Sequence, residues 1–141
     1  GGALDSVFVI NVNLNTETDY NQRIQIRFYD QEGKEILAGT ALLKITPVPA
    51  RYALGQNYPN PFNPTTTIRF ELPEDTHTRI AIYDLLGREI IQLANKPLRA
   101  GYHQVVWQGR DTFGNAVPSG MYFYRMEANG FSSTRKMVFL K

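Results

Sequence analysis

Period-two alternation, cut into short runs by turn residues, constrains this chain more than any other feature. Thr67–Leu72 (TIRFEL) places Ile68, Phe70 and Leu72 on one face. Arg23–Tyr29 (RIQIRFY) does the same with Ile24, Ile26 and Phe28. Such runs are half-buried strands. No window carries a 3.6-residue repeat, so almost no helix is expected. The sharpest local signal is Asn129-Gly130, set between Gly120–Ala128 and the last run, FSSTRKMVFLK. Asn-Gly tolerates the positive φ that tight hairpins need. The last strand then reaches Lys141, which leaves the end of the chain both structured and reachable.

The remaining runs follow the same grammar. Ser6–Leu14 (SVFVINVNL) reads as a strand and Asn15–Asn21 as a polar turn. Asp30–Gly33 is a turn with Gly33 in the left-handed region. Lys34–Ile45 returns as one or two strands broken near Gly39. Five of the eight prolines fall in Thr46–Thr65, which no central strand can cross, because proline lacks the amide donor. Thr46–Arg51 reads as an extended linker, while Leu54, Tyr58 and Phe62 give the second half an apolar side to lay down as an ordered arm. Beyond it come strands at Thr67–Leu72, Arg79–Tyr83, Arg88–Leu93 and Tyr102–Trp107. They are joined by turns at Pro73–Thr78 and Asp84–Gly87, and by loops at Asn95–Gly101 and Gly109–Ser119. The fold class is all-β, an antiparallel sandwich of about seven strands preceded by three or four further β-strands. The expected domains are 1–45, a linker at 46–53, and 54–141.

Charge divides along the same line. Residues 1–50 carry four Lys+Arg against six Asp+Glu (−2), and residues 51–141 carry eleven against seven (+4). The sum of +2 does not argue for a nucleic-acid partner. There are no cysteines, which excludes disulfides and thiol catalysis. No apolar run approaches the roughly 20 residues of a spanning helix. The start, GGALDSVFV, has no basic n-region and no signal-peptide core; if the protein is exported its signal peptide lies upstream, so the expectation is the tail of something longer. Tyr29-Asp30-x-x-Gly33-Lys34-Glu35-Ile36 is echoed by Tyr83-Asp84-x-x-Gly87-Arg88-Glu89-Ile90. The echo fits two related sandwich domains in tandem, the first cut short. It also fits two hairpins converging on one turn chemistry.

Catalytic chemistry is poorly represented. His77 and His103 fall in different elements with no third donor at ligand spacing, so no metal and no cofactor are expected. Asp111–Asn115 lacks the carboxylate density of a calcium loop and reads as a turn. No nucleophile elbow or phosphate loop is present, and the chain is read as no enzyme. Leu85 and Leu86 sit at a turn tip where the echo has polar Gln31 and Glu32, a pattern that suits a docking tip. The competing arrangement folds both leucines back onto the long loop. Tyr102, Trp107, Tyr122 and Tyr124 either pack in the core or form a sugar-stacking platform. The platform would make this a carbohydrate-binding or spacer module appended to a secreted enzyme, the alternative function.

Three separated blocks carry a family resemblance. LGQNYPNPFNPTTTIRFEL (Leu54–Leu72), IAIYDLLGREI (Ile80–Ile90) and AGYHQVVWQGRDTFGNAVPSGMYFYRMEA (Ala100–Ala128) occur in that order. Together with the terminal GFSSTRKMVFLK they resemble the type A C-terminal sorting domain of the type IX secretion system. The core also resembles the Ig-like domain of flagellar hook-capping proteins, which lacks the YPNPFNP arm and this terminal run. Residues 1–50 resemble no family. The resemblance implies an Ig-like sandwich and a non-catalytic sorting role. A cargo passes from the periplasm through the outer-membrane translocon to the cell surface or medium, and a sortase-like protease removes the domain. Its partners would be the translocon, the sortase-like attachment machinery and an upstream cargo domain, with no membrane-spanning segment of its own. The matching motif positions are Pro59, Asn60, Pro61 and Phe62 in the arm, and Gly120 and Tyr122 in the G-x-Y block. At the end they are Arg135, Lys136, Met137, Val138, Phe139, Leu140 and Lys141. Gln108 stands where the family usually has Asp between Trp107 and Gly109, a local change in loop capping. The unpaired edge of the terminal strand, with its basic residues, is the expected docking element. Thr46–Leu54 is the expected cut region, because it is extended and exposed.

Overall fold

The computed structural model describes residues 20–45 and 48–141. The chain divides into two compact units between Pro47 and Val48. All described regular structure is strand.

The first unit contains one described hairpin. β1 (Tyr20–Tyr29) pairs antiparallel with β2 (Glu35–Ile45), with a bulge at Phe28/Tyr29. The return strand is single and runs through Gly39, so the expected break is absent: Gly39 keeps its ladder place opposite Ile26. Gly33 has φ +82° at the turn. The expected strand Ser6–Leu14 lies outside the described residues, as do the side chains of Ile24, Ile26 and Phe28. Of the expected turn Asn15–Asn21, only Tyr20 and Asn21 are described, and they open β1.

The second unit is a two-layer sandwich. One sheet has the order β3 (Ala53–Leu54), β4 (Thr66–Leu72), β7 (Gly101–Trp107). The other has β6 (Glu89–Leu98), β5 (Thr76–Tyr83), β8 (Gly120–Ala128), β9 (Phe131–Phe139). These seven strands match the expected number, with the arm supplying β3. Alternation sets the core: Ile68, Phe70 and Leu72 from one sheet face Ile80, Ile82, Tyr124 and Met126 from the other, all buried. Burying such side chains contributes about 1.5–3 kcal/mol each against exposure.

Two boundaries differ from the sequence expectation. β5 begins at Thr76, where the pattern placed a turn to Thr78, and β6 continues to Leu98 across the expected loop at Asn95. Proline does not stop β6, because β6 is an edge strand paired only with β5. Pro97 lies opposite His77, and an edge tolerates a missing donor.

The turn chemistry recurs three times. Asp30 Oδ1 accepts the amides of Glu32 and Lys34, both at 2.9 Å. Asp84 Oδ1 accepts those of Leu86 and Arg88 at 2.9 and 3.0 Å. Asp111 Oδ1 accepts those of Phe113 and Asn115, both at 2.9 Å. The third copy lies in a loop of the same unit as the second, so this turn alone marks no domain duplication.

Candidate functional site

The motif residues, scattered along the sequence, meet at the outer border of β9. Phe62 runs parallel to Phe139 there. Its amide donates to the Val138 carbonyl at 3.0 Å, and its carbonyl accepts the Leu140 amide at 3.0 Å. Asn60 Oδ1 accepts the Val138 amide at 3.0 Å, and Gln56 Nε2 donates to the Lys136 carbonyl at 3.0 Å. Arg135 Nε donates to the Leu54 carbonyl at 2.6 Å. The arm is therefore a strap along the terminal strand. The expectation of an unpaired β9 edge is corrected between Lys136 and Leu140: the chain's own arm already occupies those backbone groups.

A buried polar anchor fixes the strap's approach. Asn57 is buried; its amide donates to the Tyr124 hydroxyl at 2.9 Å. Asn57 Nδ2 donates to Thr66 Oγ1 at 3.0 Å and to the Pro59 carbonyl at 3.2 Å. Thr66 Oγ1 in turn donates to the Pro59 carbonyl at 2.8 Å, and the Tyr124 hydroxyl to the Gly55 carbonyl at 2.7 Å. Burial pushes the Tyr124 phenol above its ordinary pKa, so it stays protonated and keeps donating. Sequence reasoning missed Asn57 and Thr66. Their signal was a polar residue on each side of the proline run, where loose linker would need none.

Beneath the strap lies an aromatic cluster. Phe62 stacks on Phe139 with centroids 4.9 Å apart, and Trp107 packs against Phe62 at 5.5 Å and edge-on to Tyr122 at 5.2 Å. Trp107 Nε1 donates to the Arg110 carbonyl at 2.8 Å, and the Tyr122 hydroxyl to the Pro118 carbonyl at 2.7 Å. Gly109 has φ +66°, and a Cβ there would stand 2.8 Å from the Phe139 ring. Only glycine fits that floor. Trp107 is 1% exposed, and Tyr122 and Tyr124 are buried with it. This corrects the four-aromatic sugar platform, of which only Tyr102 faces solvent.

The other motif residues are distributed around this centre. Pro59 and Pro61 are exposed on the strap, and Gly120 opens β8 opposite Phe139. Met137 and Phe139 point into the core, Val138 is half-buried, and Lys136, Leu140 and Lys141 are exposed. The Lys141 amide donates to Ser119 Oγ at 2.9 Å. Leu85 and Leu86 are 66% and 78% exposed, so they do not fold back into cover. With Pro118, Met121 and Tyr122 they border a groove of about 410 Å³. Burial opposes ionisation of Asp84 at its foot. The Arg88 amide, the Arg88 guanidinium at 2.7 Å and the Leu86 amide outweigh this and hold its carboxyl below the ordinary range.

At the opposite pole, where the chain enters the unit, Tyr52 stacks on Phe131 at 5.4 Å. Its hydroxyl donates to Glu74, which also accepts from Asn129 Nδ2. His77 bonds to Asn95, and His103 stacks on Phe70. Among the described residues no group of three or more His, Cys, Asp or Glu could hold a metal ion. No helix among them is long and apolar enough to cross a membrane.

The model of the secretion system C-terminal sorting domain matches residues 56–140, from the strap to the end of the terminal strand. The chain belongs to that family. No curated protein matches the sequence. Among solved structures, the chain is similar to dimeric latent PorU from Porphyromonas gingivalis. That likeness has 17% identity and a TM-score of 0.51, over 87% of this chain and 12% of PorU. A second likeness is to PorZ, described as an essential surface component of the type-IX secretion system of the same organism. It has 23% identity and a TM-score of 0.44, over 64% of this chain and 11% of PorZ. The chain thus spans about an eighth of PorU, and at this identity the likeness speaks for the fold alone. The matched family is the one that the YPNPFNP, G-x-Y and terminal blocks resemble.

Proposed function

We propose that residues 48–141 act as a non-catalytic sorting signal, carrying a periplasmic cargo through the outer-membrane translocon of the type IX system. The observation that carries this reading is the strap. Asn60, Phe62, Val138 and Leu140 are far apart in sequence, yet they build one surface over a shared aromatic floor. The signal is then a folded shape with its strand edge closed, and it is recognised by surface contact rather than strand addition. Leu85 and Leu86 beside the groove are the proposed docking tip, on the pole away from the chain's entry. Lys136 and Lys141, both exposed on the terminal run, are its proposed basic residues. The domain is then removed within the approach at Val48–Arg51, where Val48, Ala50 and Arg51 are exposed and Pro49 is buried, and the cargo is attached to the surface or released.

A fusion tests this. Residues 48–141 joined behind a periplasmic fluorescent protein should reach the surface or medium only in cells with a working type IX system. Removing Lys136–Lys141 should trap the fusion in the periplasm. Replacing Leu85 and Leu86 together with Gln should leave the fold intact and reduce export. Export of the truncated fusion as efficient as that of the intact one would refute the reading. Unchanged export of the double variant would remove the docking tip alone.

A further inference from the structure

The outer face of the three-stranded sheet is a regular grid that no other element of the second unit covers. Backbone pairing sets three rows across the arm with its β3, then β4 and β7. These are Tyr58–Thr67–Val106, Gly55–Arg69–Gln104 and Ala53–Glu71–Tyr102. The two tyrosines stand at opposite corners, 82% and 63% exposed. Strand geometry separates them by two strand spacings and four residues, roughly 17 Å corner to corner. Both are held on rigid backbone. Tyr58 exchanges two 2.9 Å hydrogen bonds with Thr67, and Tyr102 is paired with Glu71. Neither ring stacks on another aromatic among the described residues.

Between the corners stand the side chains of Thr67, Arg69, Glu71 and Gln104. Gly55 and Ala53 leave one side open: a Cβ at Gly55 would come within 3.1 Å of the Arg69 carbonyl, so no larger residue rises there. A trough of about 730 Å³ is lined by Gly55, Arg69, Glu71, Tyr102, Gln104 and Arg135. A second, of about 620 Å³, is lined by Gln56, Tyr58, Thr67, Arg69 and Gln104. They share Arg69 and Gln104; the first reaches Tyr102 and the second Tyr58. The charged groups are two guanidiniums, Arg69 and Arg135, against the one carboxylate of Glu71. Arg69 has no carboxylate partner among the described residues.

We propose that this face binds an extended acidic glycan, its sugar rings lying on Tyr58 and Tyr102 and an acidic substituent meeting Arg69. Exposed tyrosine offers a rigid amphipathic plate that orders at little entropic cost. The apolar C–H face of a sugar ring stacks on such a plate, while amide and guanidinium donors meet its hydroxyls and charges. Plates spaced about 17 Å apart with polar side chains between them suit a chain of several sugars rather than one. The ligand class follows from the face alone and stands apart from the sorting role.

Native affinity electrophoresis of the purified 141-residue chain tests it, with polygalacturonate as the acidic probe and dextran as the neutral one. Polygalacturonate should retard the chain and dextran should not. Tyr58→Ala, Tyr102→Ala and Arg69→Gln should each weaken retardation about tenfold at unchanged melting temperature. Lys96→Gln, on the other sheet, should leave it intact. No retardation by polygalacturonate would overturn the proposal. So would retardation that survives both tyrosine substitutions, equal retardation by dextran, or a loss in Lys96→Gln as large as in Arg69→Gln.

Discussion

Gly109 shows how one residue fixes the site. Its φ of +66° disfavours any side chain, and the Phe139 ring fills the space a Cβ would need. Gly109→Ala should therefore destabilise the unit by about 2–3 kcal/mol, combining backbone strain with displacement of the ring. The urea midpoint should fall with an unchanged slope. Trp107, the single tryptophan, reports on the same place. Its fluorescence should be blue-shifted and poorly quenched by acrylamide, and Gly109→Ala should raise the quenching. Alternation showed that Val105 and Trp107 share a face, but not which face the aromatics of MYFY take. Both parities of that run present aromatic rings. Arg125 and Glu127 settle it two steps further on: their parity is polar, so Tyr122, Tyr124 and Met126 must turn inward.

At the level of elements, the strap changes what β9 is. A sheet's last strand ordinarily offers its amides to solvent or to another chain. Here the amides of Val138 and Leu140 are both taken by the arm. Their hydrogen exchange should be slow for an edge strand. Asn60→Ala should cost about 1 kcal/mol and speed exchange at Val138 more than at Leu140. Phe62→Ala should cost about 3–5 kcal/mol and release both. The sequence made the strap's existence legible, through three apolar residues among prolines. Its destination was not legible, because a parallel contact between positions 62 and 139 leaves no local pattern. The same limit explains β6. Proline argues against a strand where a neighbouring strand needs its amide, and edge position is a tertiary fact.

The second unit as a whole has two chemically different poles. The entry pole is tied by Glu74, whose carboxylate accepts from the Tyr52 hydroxyl and then from Asn129. Those bonds hold its pKa below the ordinary carboxylate range. A carboxyl with a depressed folded value contributes stability above its unfolded pKa, near 4.3, and loses it as pH falls through the folded one. Between pH 7 and pH 3 the wild-type urea midpoint should therefore drop further than that of Glu74→Gln. Equal drops would show that this tie adds nothing. The far pole holds Leu85, Leu86 and the closing contact of the strap. That contact joins residues roughly eighty positions apart, so loop closure places it late in folding. A chain cut short of Val138 has nothing for Asn60 and Phe62 to close upon, however well its other strands are made. The finished surface therefore exists only on molecules in which β9 has been synthesised and has survived proteolysis.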